Sequence, residues 1–244
     1  TTGNAASVMS KLEDWLQTEW PELKVYLTSV TEQFATISIN GPYAPQLMKK
    51  LCPNHDFSKD NFPHMSFQNI EIDGVHCRVM RISFTGEMCY EINLPASYAK
   101  TLWGKCFDLG KEYNITPYGT EAMHVLRAEK GFIIVGQETD GSVTPIDLDM
   151  NWIVSKKKYD FIGKRALYRS DTIREDRKQL VGIFTKDPNE VLEEGAQLVE
   201  KITPVPMEMV GHVTSSYYSP NLGRSIALAL VKDGLKKKGL SIFA

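Results

Sequence analysis

Two carboxylates, Glu87 and Glu91, and a phenol, Tyr90, crowd into the stretch Arg81-Ile-Ser-Phe-Thr-Gly-Glu-Met-Cys-Tyr-Glu-Ile-Asn-Leu-Pro95. A Ser/Thr/Gly turn there separates two apolar runs of strand character, so Glu91 falls on a half-buried strand. An unpaired carboxylate in such a place costs several kcal/mol. Two readings follow. Glu91 is exposed or paired with Arg78 or Arg81, or it awaits a ligand that donates hydrogen bonds. A carboxylate offers two parallel acceptors, which match any planar group with two adjacent N–H donors. A guanidinium is one such group, and the 2-amino-4-oxo edge of a pterin is another.

A second stretch, Leu126-Arg-Ala-Glu-Lys-Gly131 running on to Thr144-Pro145, carries more polar chemistry. Arg127 and Glu129 are two apart on a predicted helix and so point in different directions. The ordinary outcome is one packing partner and one solvated charge. Gly131 as a helix stop and Gly136-Gln-Glu-Thr-Asp140 as a loop would hold backbone groups near a ligand. Trp152, Tyr217 and Tyr218 are each either core aromatics or ring-stacking walls. Ser215-Ser216 lacks the nucleophile-elbow context of a hydrolase. The Gly136–Gly141 segment fits neither the dinucleotide nor the P-loop glycine pattern. With no HExxH, no CxxC and no His/Cys cluster at zinc spacing, no metal site is expected.

Several elements must position these groups. The spacing predicts a helix from an Asn4 cap to about Glu19, with Val8, Leu12, Trp15, Leu16 and Trp20 on one face. Strands are predicted at Lys24–Val30 and Phe34–Ile39, then a short helix from about Tyr43 to Leu51 and a loop over 53–66. Ile70–Ile72 and Val75–Ile82 flank Asp73-Gly74, a two-residue hairpin turn. A third strand follows near Tyr90–Leu94. An amphipathic helix from Ser97 to about Tyr113 should bury Leu102, Trp103, Phe107 and Leu109 or their neighbours, and Thr120 should cap a helix to Lys130. Charged residues 169–178 read as a linker. Beyond it, short strands at Gln179–Thr185, Gly195–Glu200, Glu208–Ser216 and Ser225–Val231 suggest a small antiparallel barrel. Hairpin-paired strands beside helices make the fold α+β.

A formal net charge of −2 argues against a nucleic-acid-binding surface. No apolar run approaches a membrane span, and no signal peptide opens the chain, so no membrane partner is expected. Four cysteines without disulfide-type spacing suit reduced, buried thiols in a cytoplasmic protein. The opening Thr1-Thr-Gly-Asn has no initiator Met, and Lys238–Ala244 resembles an unfinished strand. The chain is therefore expected to be a fragment, with the first lobe and the barrel both incomplete.

Ser83-Phe-Thr-Gly-Glu-Met-Cys-Tyr-Glu-Ile-Asn-Leu-Pro95 resembles the Y-T-G-E-x-G-x-E-I-x-x-P motif of the folate-dependent aminomethyltransferases, the glycine-cleavage T-proteins. Leu126–Gly131, Gly136–Asp140, Thr144-Pro145 and Trp152 resemble that family's L-R-L-E-A-G … G-x-D-x-D … T-P … W run, in register. Phe161-Ile-Gly-Lys-Arg-Ala-Leu167 is similar to its F-x-G-x-x-A-L segment. Within the superfamily, Tyr118–Phe132, Gly211–Ser216 and Leu222–Ala227 look most like the C-terminal part of the α subunits of heterotetrameric sarcosine oxidases.

That resemblance implies a folate-binding domain over 1–168, the linker 169–178, and a C-terminal barrel domain over 179–244. It implies tetrahydrofolate as cofactor, with flavin and NAD elsewhere in the complete enzyme. Other sarcosine oxidase subunits, especially the flavin-bearing β subunit, would be partners. The one-carbon unit from oxidative demethylation of sarcosine to glycine would be captured as 5,10-methylene-tetrahydrofolate. Glu91 takes the position of the family's pterin-anchoring glutamate, with Phe84, Tyr90, Arg127 and Trp152 as further cofactor contacts. Phe84 replaces the motif's leading Tyr and loses its hydroxyl, while Met123 stands where the family carries an arginine. The catalytic aspartate motif G-G-x-x-D-D has no match, so that residue is expected upstream of Thr1 and the chain alone is expected to be inactive. Two rival readings are a glycine-cleavage aminomethyltransferase and a non-catalytic folate-binding regulator of iron–sulfur assembly. The regulator's K-G-C-Y-x-G-Q-E signature has Phe132 at its cysteine.

Overall fold

A computed structural model describes residues 2–244. It forms two compact units, one made of 2–83 and 87–117, the other of 84–86 and 118–244.

In the first unit, α1 (Ala5–Thr18) precedes β1 (Phe34–Asn40), α2 (Ala44–Leu51), β2 (Phe67–Ile72), β3 (Val75–Met80), β4 (Cys89–Pro95) and α3 (Ala99–Gly110). The strands make an antiparallel sheet in the order β1-β4-β3-β2. The predicted hairpin turn is present. Asp73 and Gly74 have φ of 51° and 77°, the left-handed pair that matches the twist of the two flanking strands. Alternation along β4 sends Tyr90, Ile92 and Leu94 inward, where they pack with Ile37, Ile39, Val79, Leu47, Met48 and Leu102 from the sheet and helices. Burial of this size is what holds a two-layer unit together.

Three local expectations change. Lys24–Val30 forms no strand, because Val25, Tyr26 and Val30 stay exposed and find no pairing partner. α1 buries no residue, and Asn4 stands at its cap position without a side-chain cap bond. In α3 the buried positions are Leu102, Cys106 and Gly110, with Trp103 exposed; the buried stripe runs at i, i+4 and i+8.

In the second unit, α4 (Thr120–Glu129) is followed by irregular chain and then β5 (Lys178–Phe184), β6 (Gln197–Val199), β7 (Met209–Ser219) and β8 (Arg224–Lys232). Gly119, not Thr120, occupies the cap of α4, with no side-chain bond. Gly131 ends that helix with φ of 71°, as expected of a left-handed closing glycine. The sheet order is β5-β8-β7-β6, antiparallel throughout. The barrel-type sheet is therefore open among the described residues, with β5 and β6 as its edges. Leu198, Val210, Val213, Ala227, Ala229 and Val231 form its core. Segment 169–178 is fastened by Arg177, which donates to both carboxylate oxygens of Asp147 at 2.8 and 2.7 Å.

Candidate functional site

Glu91 lies on β4, the strand between β1 and β3, directly across from Ser38 on one side and Met80 on the other. Its neighbours Tyr90 and Ile92 face the core with no exposed surface, so alternation turns the half-buried Glu91 to the opposite face. The two cations that the sequence offers as partners are engaged elsewhere. Arg78 donates to Asn69 Oδ1 at 3.3 Å and stacks over the Phe67 ring at 5.3 Å. Arg81 is buried, donating to the Phe62 carbonyl and, at 3.6 Å, to Met88 Sδ. Among the described residues Glu91 has no ion pair, and burial pushes its carboxyl above the ordinary glutamate value.

The same face carries Thr36, which donates to Asn93 Oδ1 at 2.7 Å, and a Ser38–Cys89 contact of 3.3 Å. A cleft of about 580 Å³ opens there, walled in part by Phe34, Arg78, Met80, Asn93 and Pro95. Met80, the register partner of Glu91, belongs to that wall. A volume of this order holds a small aromatic ligand. The chemistry on offer is a carboxylate lacking a counter-charge beside a cleft of mixed polarity.

Tyr90 does not join this face. It is fully buried, its ring set against Phe57 and Phe62 at 5.5 and 5.6 Å, and its hydroxyl donates to the Phe57 carbonyl at 3.4 Å. As the immediate neighbour of Glu91 on a strand, it must point the other way, so it is a core residue and not a ligand contact.

The other candidate residues belong to the second unit. Phe84 is half-buried, and Trp152 is 75% exposed in a short 3-10 turn, Asn151–Ile153. Arg127 is fully buried on α4. Its guanidinium meets Glu138 Oε2 at 3.1 Å, Phe132 O at 3.0 Å, Ser215 Oγ at 2.6 Å and the Tyr217 hydroxyl at 3.3 Å. Its Nε is buried without a partner. Glu138 also accepts from the Ile134 amide at 2.6 Å and from the Ser215 hydroxyl. Arg127 is thus an internal anchor between α4, the 134–138 loop and β7, and its fork has no free face for a ligand. Glu129 likewise binds Asn221 Nδ2 at 3.0 Å and Ser219.

Sequence reasoning missed these partners. Serines at 215 and 219 on the same strand as Val210, Val213 and Tyr217 were the available signal, because a buried polar side chain must find a partner. Among the described residues no group of His, Cys, Asp and Glu side chains could hold a metal ion, and no helix is long and apolar enough to cross a membrane.

Residues 1–158 match the family model for the GCVT N-terminal domain, and residues 178–244 match that for the glycine cleavage T-protein C-terminal barrel domain. The chain belongs to the glycine cleavage T-protein family. Within this T-protein family, it is 54% identical over 247 residues to the sarcosine oxidase subunit alpha of Corynebacterium sp. (strain P-1), covering 98% of this chain and 25% of that one. The subunit alpha of Rhizobium meliloti (strain 1021) is 39% identical, over 98% of this chain and 24% of that protein. An aminomethyltransferase from Thermoanaerobacter pseudethanolicus is 30% identical, with 62% of its length covered. The chain therefore spans about a quarter of the sarcosine oxidase subunits it matches. The crystal structure of aminomethyltransferase T from Bartonella henselae superposes with a TM-score of 0.80 over 99% of this chain and 62% of that one. At 23% identity, that likeness speaks for a shared T-protein fold.

Proposed function

We propose that this chain is the tetrahydrofolate-binding part of a sarcosine oxidase α subunit, and that Glu91 anchors the pterin. The observation that carries the reading is the half-buried Glu91 carboxylate, left without a cation while Arg78 and Arg81 are engaged elsewhere. A planar edge with two N–H donors supplies what that carboxylate lacks, and a charge-assisted pair of this kind is among the stronger hydrogen-bonded contacts. The degree of identity to sarcosine oxidase α subunits favours that subgroup over a glycine-cleavage aminomethyltransferase.

Bound folate would supply the nucleophilic amine that accepts a one-carbon unit from sarcosine demethylation, giving 5,10-methylene-tetrahydrofolate. The chain's own contribution is to hold and orient. Glu91 fixes the pterin edge, and the Phe34, Met80 and Pro95 side chains provide apolar wall beside it. Phe84 and Trp152 remain proposed ring contacts in the second unit, whereas Tyr90 and Arg127 act through the core. The one-carbon unit would come from the methyl group of sarcosine, oxidised by a flavin on a partner subunit, especially the β subunit, with NAD bound elsewhere in the cytoplasmic enzyme.

No G-G-x-x-D-D aspartate motif occurs in these residues, so this polypeptide alone is expected to be inactive. The deciding experiment is Glu91→Gln in the full-length enzyme. Folate affinity should fall by about 1–3 kcal/mol, the scale of a hydrogen bond to a charged partner. Unchanged affinity would remove Glu91 from the site.

A further inference from the structure

Lys178 on β5 stands directly across from Lys232 on β8, and His212 on β7 stands across from Leu230 on the same β8. Leu230 and Lys232 are two apart, so alternation puts both lysines and the histidine on one face, opposite to the core residues Ala229 and Val231. Like charges directly opposite in a ladder repel and cost stability. A cavity of about 340 Å³ opens over this face, and Arg174, Arg177, Asp140 and Asp176 supply its other charges. These four are already engaged. Arg177 is spent on Asp147 and the Ser142 carbonyl, Arg174 holds Asp176 at 2.8 Å, and the Ser142 amide and hydroxyl hold Asp140 at 2.9 and 2.6 Å. Lys178 forms no ion pair among the described residues, and Lys232 reaches only the shared Asp176, at 3.6 Å. Burial, with the charge of Lys178 beside it, pushes His212 below the ordinary histidine value of 6.5, against the opposite pull of Asp140.

We propose that this cavity binds one tetrahedral oxyanion, a sulfate or phosphate group, free or carried on a small ester. Lys178, Lys232 and His212 bring donors to it from three different strands. A tetrahedral oxyanion presents acceptors in several directions at once and so matches them, whereas a carboxylate offers only a planar pair. The two arginines and two lysines of the lining outnumber its two carboxylates, which leaves the local potential positive. A bound anion would also cancel the repulsion between Lys178 and Lys232, a cost that the sheet otherwise carries without return. Val143, Met209 and Leu230 give the cavity an apolar side against which the body of an ester can rest. The site belongs wholly to the second unit and makes no use of Glu91.

The test is calorimetric titration of the full-length protein with sodium sulfate at low ionic strength. Sulfate keeps its charge across the range in which histidine titrates, so any pH dependence belongs to the protein. Saturable binding is expected, weakened about tenfold in Lys178→Gln and in Lys232→Gln. Lys236→Gln, the same chemical change at an exposed lysine outside the lining, should alter it by less than about twofold. Affinity should rise by about tenfold from about pH 8 to about pH 5, as His212 gains its proton, and His212→Gln should abolish that rise. Phenyl phosphate and inorganic phosphate separate the two sources: tighter binding of the ester assigns the site to an ester, equal binding assigns it to the free ion, and either upholds it. No saturable binding of sulfate would overturn the proposal. So would a loss in Lys236→Gln equal to that in the two cavity variants, or an affinity of the unmodified protein that ignores pH.

Discussion

Arg127 and Glu138 form an ion pair of 3.1 Å with both side chains fully buried. Two charges out of water need further hydrogen bonds, and here Phe132, Ile134, Ser215 and Tyr217 supply them, leaving Arg127 Nε unpartnered. The pair ties a helix, a loop and a strand that lie far apart in sequence.

Glu138→Gln should therefore cost about 3–5 kcal/mol of stability, because Arg127 is left as a buried charge without its counter-ion. Urea denaturation with unchanged slope and a lower midpoint would report it. A loss below about 1 kcal/mol would mean that water reaches Arg127.

Glu91 should show the opposite behaviour. Burial raises its carboxyl value, so the ligand-free folded state holds the proton more tightly than the unfolded chain. Stability then falls as pH rises from the ordinary glutamate value of 4.5 through the higher folded value. Glu91→Gln should remove that slope and raise ligand-free stability at neutral pH by up to about 1 kcal/mol, the familiar cost of a functional group. Thermal melts at pH 4 to 8 check the sign. In the intact protein, folate affinity should drop as pH falls through the same raised value, as protonation removes one of two acceptors.

Asp147 works the other way. Burial alone pushes its carboxyl up, but the Arg177 fork and two bonds from Thr144 outweigh this and hold it below the ordinary 3.8. Its contribution is present above that value and is lost as pH falls through the lower folded value. Asp147→Asn should cost about 2–4 kcal/mol at pH 7, Arg177 being only partly exposed, with the difference from the unmodified chain shrinking in strong acid. Acid titration of both proteins by circular dichroism measures it.

Gly211 on β7 faces Val231 on β8, and a Cβ there would stand 2.3 Å from the Leu230 carbonyl oxygen. Gly211→Ala should therefore force the strands apart and cost about 2–4 kcal/mol, read as a lower melting temperature. Gly223→Ala, with open space around it, is the control for any general effect of the methyl, apart from backbone strain at φ of 63°.

How much was legible in the residues differs between the two units. The α+β class, the Asp73-Gly74 hairpin, β4 and the open face of Glu91 all follow from period-two alternation and turn chemistry, which act over a few residues. The motif around Glu91 also named its family before any coordinates. Strand-like composition at Lys24–Val30 failed because a strand needs a partner, and pairing is decided by the whole sheet. Trp103 failed because helical periodicity gives a stripe without saying which edge of it meets the core.

The sequence alone determined that Glu91 sits on a strand, whereas the structure turned its neighbour Tyr90 into the core among Phe57 and Phe62. The sequence could not decide whether Glu91 meets Arg78 or Arg81, since both are within reach along the chain. Only the tertiary structure settled that, by drawing Arg81 into the core beside Phe62 and laying Arg78 over Phe67. Arg127 shows the same division. Its place on a helix was written locally, whereas Glu138, Ser215 and Tyr217 reach it across up to ninety residues of chain. A buried charge is completed by whatever the fold brings to it, and no local rule of spacing contains that information.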